Sequence, residues 1–130
     1  MIVIDSSAMV EALVGRDAGD ELLDALQADI HAPHLLDVEV LSVLRGLVLG
    51  RKLRAQVAVR ARTDYLAFTI ARYELHPMAD RIWQLRHNFT TYDSCYLALA
   101  EALGAPLYTC DQKLATSGHD AEVLVLPRAD

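Results

Sequence analysis

Thr90-Thr91-Tyr92-Asp93-Ser94-Cys95-Tyr96-Leu97-Ala98-Leu99-Ala100-Glu101-Ala102-Leu103 reads as one helix, and the rest of the chain is organised around it. Thr90 is a good N-cap, Gly104 a good stop, and Pro106 lies just beyond. Between these ends only Ser94 and Glu101, on one face, interrupt the apolar surface. A helix that is apolar nearly all round belongs inside a domain. Asp93 nevertheless sits in its first turn. Its neighbours three and four positions away are Phe89, Thr90, Tyr96 and Leu97, so no Lys or Arg is within reach along the helix. A carboxylate beside an apolar core needs a partner from elsewhere, because burying an unpaired charge is costly.

Outward from this helix, short apolar runs alternate with helical periods. Ile2-Val3-Ile4 predicts a buried strand, which Asp5-Ser6-Ser7 ends while capping a helix from Ala8 to Val14, stopped by Gly15. Asp17 to Ala28 predicts a second helix with acids in its first turn. Ile30-His31-Ala32 predicts a strand ended by Pro33. Leu35 to Leu49 predicts a strongly apolar helix closed by Gly50, and Leu53 to about Phe68 a more basic one. Thr69 to Leu75 then predicts a strand and Met78 to His87 a helix. After the core helix come a strand over Pro106 to Thr109, a helical turn over Asp111 to Ser117, and a last strand over Glu122 to Leu126. Such alternation calls for a mostly parallel sheet with helices on both faces.

At 130 residues the chain is expected to be a single domain over 1–130, with no linker, repeat or low-complexity segment. Its hydrophobic fraction, 53%, suits a covered sheet. No apolar run approaches the ~18 residues of a membrane span. The start lacks the basic and apolar regions of a signal peptide, so a cytoplasmic protein with no membrane partner is expected. Cys95 and Cys110 then read as reduced thiols and small buried hydrophobes, and their spacing fits no zinc pattern. The net charge of -6 argues against nucleic acid. Yet Arg45, Arg51, Lys52, Arg54, Arg60 and Arg62 are half of the 12 Lys and Arg residues, with no acid among them. They form either a solvated helical face or a patch that tracks phosphates.

Four carboxylates fall at element ends. In open α/β sheets, ligands sit beyond the carboxyl ends of the strands, where strand order switches. Asp5 follows the first strand, Asp111 lies two residues past Thr109, Asp93 opens the core helix, and Glu39 is in the first turn or so of the third helix. Asp5 and Asp111 also read as N-caps and Asp93 as an acid answering a helix dipole. Glu39, like Asp93, lies on an apolar face without a local cation: its neighbours are Leu35, Leu36, Ser42 and Val43. Carboxylates brought together repel unless positive charge lies between them. A divalent cation supplies it, and oxygen donors without a His or Cys site point to Mg²⁺ or Mn²⁺. His31, His34, His76, His87 and His119 have no metal-site spacing. Ser94 lies in no nucleophile elbow, and no phosphate-binding glycine loop is present.

These residues resemble the motifs of PIN domains, and most closely those of VapC-type toxins of type II toxin–antitoxin pairs. The likeness is carried by Ile2-Val3-Ile4-Asp5-Ser6-Ser7-Ala8, by Val38-Glu39-Val40-Leu41, by Thr91 through Ala100, and by Leu107-Tyr108-Thr109-Cys110-Asp111. The resemblance implies a three-layer α/β/α fold and a metal-dependent endoribonuclease with Asp5, Glu39, Asp93 and Asp111 as its acidic cluster. It also implies a cognate VapB-type antitoxin as partner, and commonly a homodimer. The chemistry expected is in-line phosphodiester hydrolysis. Metal held by Asp5 and Asp93, with Glu39 and Asp111 as direct or water-mediated ligands, lowers the pKa of a bound water. Ser6 and Thr109 are candidates to orient a carboxylate or water from behind, with capping as the alternative role. Arg45, Arg51, Lys52 and Arg54 are candidates to hold the RNA backbone. Two rivals share some of these features. A receiver-like signalling module also binds Mg²⁺ at an acidic crevice, but it needs a Lys after its last strand, where this chain has Pro127-Arg128. A non-catalytic PIN-like binding protein would keep the fold without the chemistry.

Overall fold

The computed structural model describes residues 1–15 and 18–128. Five strands form one sheet: β1 (Ile2–Ile4), β2 (Ile30–Pro33), β3 (Ile70–Tyr73), β4 (Leu107–Thr109) and β5 (Val123–Val125). Their order is β3-β2-β1-β4-β5 and every pairing is parallel. The expected mostly parallel sheet is therefore wholly parallel among the described residues. A receiver domain has the order 2-1-3-4-5, so this topology is a different one.

Among the described residues six α-helices cover the sheet: α1 (Ser6–Val14), α2 (Asp20–Ala25), α3 (Leu35–Leu49), α4 (Ala55–Ala67), α5 (Ala79–Gln84) and α6 (Thr91–Leu103). Right-handed crossovers fix their sides. The steps β1→β2→β3 run one way along the sheet, and α1, α3 and α4 pack together. The step β3→β4 runs back past β1, and α6 packs on β1, β2 and β4, with α5 against it. The result is a three-layer α/β/α architecture whose sheet switches direction between β1 and β4.

The boundaries follow local chemistry. Asp5 accepts the Ala8 N–H at 3.0 Å, so α1 starts at Ser6, two residues earlier than predicted. The second helix is shorter than expected. Gly19 is its N-cap, Asp20 and Glu21 fill its first turn, and its predicted start at Asp17 lies outside the described residues. The expected helix from Met78 to His87 is α5 flanked by 3-10 turns at His76–Met78 and Leu85–His87. Gly50 is the C-cap of α3, but the left-handed residue after it is Arg51, at φ 58°. Lys52 N–H donates to the Leu47 carbonyl at 2.8 Å and Arg51 N–H to that of Val48 at 3.0 Å. That pair of bonds closes the helix in a Schellman motif. Gly104 does the same for α6 at φ 62°, a backbone shape that glycine adopts freely.

The core runs along β1 and α6. Val3, Ile4, Leu97 and Leu107 have no exposed surface, and every residue of α6 from Ser94 to Ala100 is buried. Glu101, which interrupts the apolar face in the sequence, is held by Arg81 through two bonds of 2.7 and 2.9 Å. On the far side, Asp37 in the first turn of α3 accepts the Tyr65 hydroxyl and two Arg72 nitrogens, tying α3 to α4 and β3. Helix α3 is less buried than its composition suggests. Leu36, Val40 and Leu44 face inward, whereas Val38, Leu41, Val43 and Leu49 are exposed. Cys95 is buried, Cys110 half-buried, and both are free thiols. No described helix is long and apolar enough to cross a membrane.

Candidate active site

Asp5 and Asp111 lie at the switch point between β1 and β4, and Asp93 and Glu39 come near enough to Asp5 to act on it electrostatically. Asp5 follows the last residue of β1, and its N–H donates to the Tyr108 carbonyl, extending the ladder by one step. Its side chain is 6% exposed and fully engaged. Oδ1 accepts Ser7 Oγ at 2.7 Å and the Ala8 N–H, and Oδ2 accepts Thr109 Oγ1 at 2.5 Å. Burial pushes the Asp5 carboxyl above the usual range against these three donors, and nearby Asp111 adds to the rise.

Asp111, half-buried, caps the 3-10 turn Gln112–Ala115 by accepting the Lys113 N–H at 2.9 Å. Its own N–H donates to Thr109 Oγ1 at 3.0 Å. Both N-cap roles read from the sequence are therefore real, and the two acids also act on one another electrostatically. Asp93, half-buried in the first turn of α6, is raised by burial and then by Asp111 and Asp5. The Thr90 hydrogen bond and the Lys113 charge oppose this rise. Glu39, one turn into α3 and half-buried, is raised by burial and then by Asp5 and Asp93. Tyr96 donates to its Oε1 at 2.6 Å, and the Ser6 hydroxyl also favours its charged form. The Tyr96 phenol is in turn pushed far up by burial and by Glu39, so it remains a donor.

Asp5 thus interacts electrostatically with Asp111, Asp93 and Glu39, and Asp93 with Asp111 and Glu39. None forms an ion pair with Lys or Arg among the described residues. The same residues contain no group of three His, Cys, Asp or Glu side chains drawn close enough to enclose a metal ion as they stand. The donor set itself suits a hard cation: it is all oxygen, carries excess negative charge, and is backed by oriented hydroxyls.

Both candidate hydroxyls act on a carboxylate: Thr109 binds Asp5 and Ser6 acts on Glu39. Ser7 is the serine that binds Asp5, and it also accepts the Cys110 N–H at 2.8 Å. The sequence does not single out Ser7 or Tyr96, although Tyr96, three residues after Asp93, lies on the same helix face. Ser94, buried beside Asp93, has the one buried side-chain oxygen without a hydrogen-bond partner among the described residues.

Arg45, Arg51, Lys52 and Arg54, with Arg60 and Arg62, are all exposed. Lys52 lies on a groove of about 830 Å³ that begins at Ser6 and Ser7 and continues over Val10, Val43 and Leu47. Of the basic stretch, Lys52 is the residue that lines this groove, and Arg128 lines it as well.

The model of the PIN domain family matches residues 2–118. The chain belongs to the PIN-domain family. Its curated relatives are VapC-type members of that family. Ribonuclease VapC12 of Mycobacterium tuberculosis is 39% identical over 125 residues, covering 95% of this chain and 97% of that one. Ribonuclease VapC1 of the same organism is 44% identical over 119 residues, covering 88% and 89%. Among solved structures, Mycobacterium tuberculosis VapC20, described as a sarcin-ricin loop cleaving toxin, superposes with a TM-score of 0.65 over 92% of this PIN domain and 97% of that chain, at 17% identity. A toxin–antitoxin complex from Klebsiella pneumoniae gives 0.54 at 21% identity, covering 87% and 88%. These two share the fold.

Proposed function

We propose that this PIN domain, spanning residues 1–130, is a Mg²⁺- or Mn²⁺-dependent endoribonuclease, the toxin of a type II toxin–antitoxin pair. The observation that supports this is the electrostatic coupling of Asp5 with Asp111, Asp93 and Glu39 near the carboxyl ends of β1 and β4, with no Lys or Arg ion-paired to any of them among the described residues. The ribonuclease names of relatives at 39% and 44% identity support the choice of RNA. Asp5 and Asp93 would hold the ion, with Glu39 and Asp111 as direct or water-mediated ligands. When bound, the ion supplies Lewis acidity, lowering the pKa of water and offsetting charge on phosphoryl oxygens. The chain's own part is positioning. Thr109 and Ser7 fix the Asp5 carboxylate, Ser6 supports Glu39, and the first turn of α6 sets Asp93. Arg45, Arg51, Lys52 and Arg54 would hold the phosphate backbone.

The groove from Ser6 over Val43 and Leu47 suits an amphipathic helix of a VapB-type antitoxin, with a basic side chain directed at the acids. Exposed Leu75 and Tyr92, which line one cavity with Pro33 and Leu35, offer an apolar surface for a homodimer. The test is cleavage of a single-stranded RNA by purified protein. Activity is expected to stop in EDTA and return with Mg²⁺ or Mn²⁺, and cleavage that persists in chelator overturns the metal reading.

A further inference from the structure

Given the cation site proposed above, we infer that Tyr96 is a positioning residue for Glu39. Helix α6 then serves the site twice, supplying Asp93 and aiming the acid that α3 contributes. Tyr96 Oη donates to Glu39 Oε1 at 2.6 Å across 57 residues of chain. Its ring is 2% exposed, so it is locked in the core while its hydroxyl reaches the crevice. Helix α3 packs chiefly on α1 and α4. Among the described residues, the Tyr96–Glu39 contact is the hydrogen bond that joins α3 to α6.

Glu39 needs such a restraint. It is half-buried, its side chain is long, and Asp5 and Asp93 both repel it. Unheld, a carboxylate in that position turns toward water, away from the other acids. A phenylalanine would fill the same core space, so packing does not account for the hydroxyl. A second pair in the same molecule makes the contrast. Tyr65, also fully buried, gives its hydroxyl to Asp37, but Arg72 neutralises that carboxylate and the group braces the fold. Glu39 has no such arginine. Its charge is oriented and left available, which is what a metal ligand backed by a hydrogen-bond donor requires.

The test is a Mn²⁺ titration followed by calorimetry on the full chain, for wild type, Tyr96→Phe, Glu39→Gln, the double variant and Tyr65→Phe. Tyr96→Phe is expected to weaken Mn²⁺ binding about 10-fold. In the Glu39→Gln background the same change is expected to have no further effect. Tyr65→Phe is expected to lower thermal stability and leave Mn²⁺ affinity unchanged. Wild-type affinity in Tyr96→Phe, equal losses with and without Glu39, or equal weakening by Tyr65→Phe each overturn the assignment while leaving the metal site intact. Absence of Mn²⁺ binding by wild type overturns the metal site and the assignment together.

Discussion

Thr109 and Asp5 are joined by a hydrogen bond of 2.5 Å, hydroxyl to Oδ2, across 104 residues of chain. The contact links the last residue of β4 to the residue after β1, where the strand order turns. Thr109 has no exposed surface and Asp5 almost none, so neither has water as a substitute partner. Thr109→Val keeps the shape and removes the donor. Leaving a buried polar group without its partner costs about 1–3 kcal/mol. Urea unfolding of Thr109→Val is expected to show a loss of that size, and Mn²⁺ affinity is expected to fall with it. An unfolding midpoint equal to that of wild type would mean that the bond does not hold the carboxylate.

Burial, followed by neighbouring acids, raises Asp5, Glu39 and Asp93. The folded chain therefore keeps protons that the unfolded chain releases. Without divalent metal, stability is expected to fall as pH climbs from about 4 through the raised folded values, then level off. Asp37 and Glu101 are lowered by their arginine partners, and burial partly opposes this. Their contribution is present above about pH 4 and lost below it. Thermal melts without divalent metal should peak in mild acid and decline toward neutral pH, and Mn²⁺ should flatten the decline. A melting temperature that rises steadily to neutral pH would contradict the mutual repulsion of the acids.

Much of this arrangement is legible in the sequence, because each acid sits where an element ends. The apolar run before Asp5, the capped and almost wholly apolar helix at Asp93, and the strand before Asp111 place three acids on one edge once the connections are short. Glu39 is legible only as an acid on an apolar helix. What the sequence hides is the pairing across space. Ser7 meets both Asp5 and the Cys110 N–H, because the first turn of α1 winds it back toward β4. The Asp37–Tyr65–Arg72 group joins three elements far apart in the chain. Helix α3 reads as strongly apolar, yet only its Leu36, Val40 and Leu44 stripe is buried, because α1 and α4 cover one side of it.

Arg51 occupies a left-handed backbone position at φ 58°. For an L side chain this crowds Cβ against the backbone, at a cost of roughly 1–2 kcal/mol. Arg51→Gly relieves the crowding but adds freedom to the unfolded chain. A net gain of about 0.5–1 kcal/mol is expected, seen as a rise of roughly 1–4 °C in melting temperature. If Arg51 also grips phosphate, the same variant is expected to bind RNA more weakly with a shallower salt dependence. A stability loss would show that the guanidinium contributes more than the backbone strain costs.

The most direct measurement is single-turnover RNA cleavage by wild type and Asp93→Asn in Mg²⁺, with the fold of both checked by circular dichroism. Asp93 half-faces solvent at the start of α6, and its amide analogue preserves shape while removing the charge. Asp93→Asn is expected to melt at or slightly above the wild-type temperature, since it relieves repulsion from Asp5 and Asp111. Its cleavage rate is expected to fall at least ~10³-fold, in line with loss of an electrostatic group at the reacting centre. A folded Asp93→Asn protein that cuts RNA at the wild-type rate would contradict a shared cation held by these four acids.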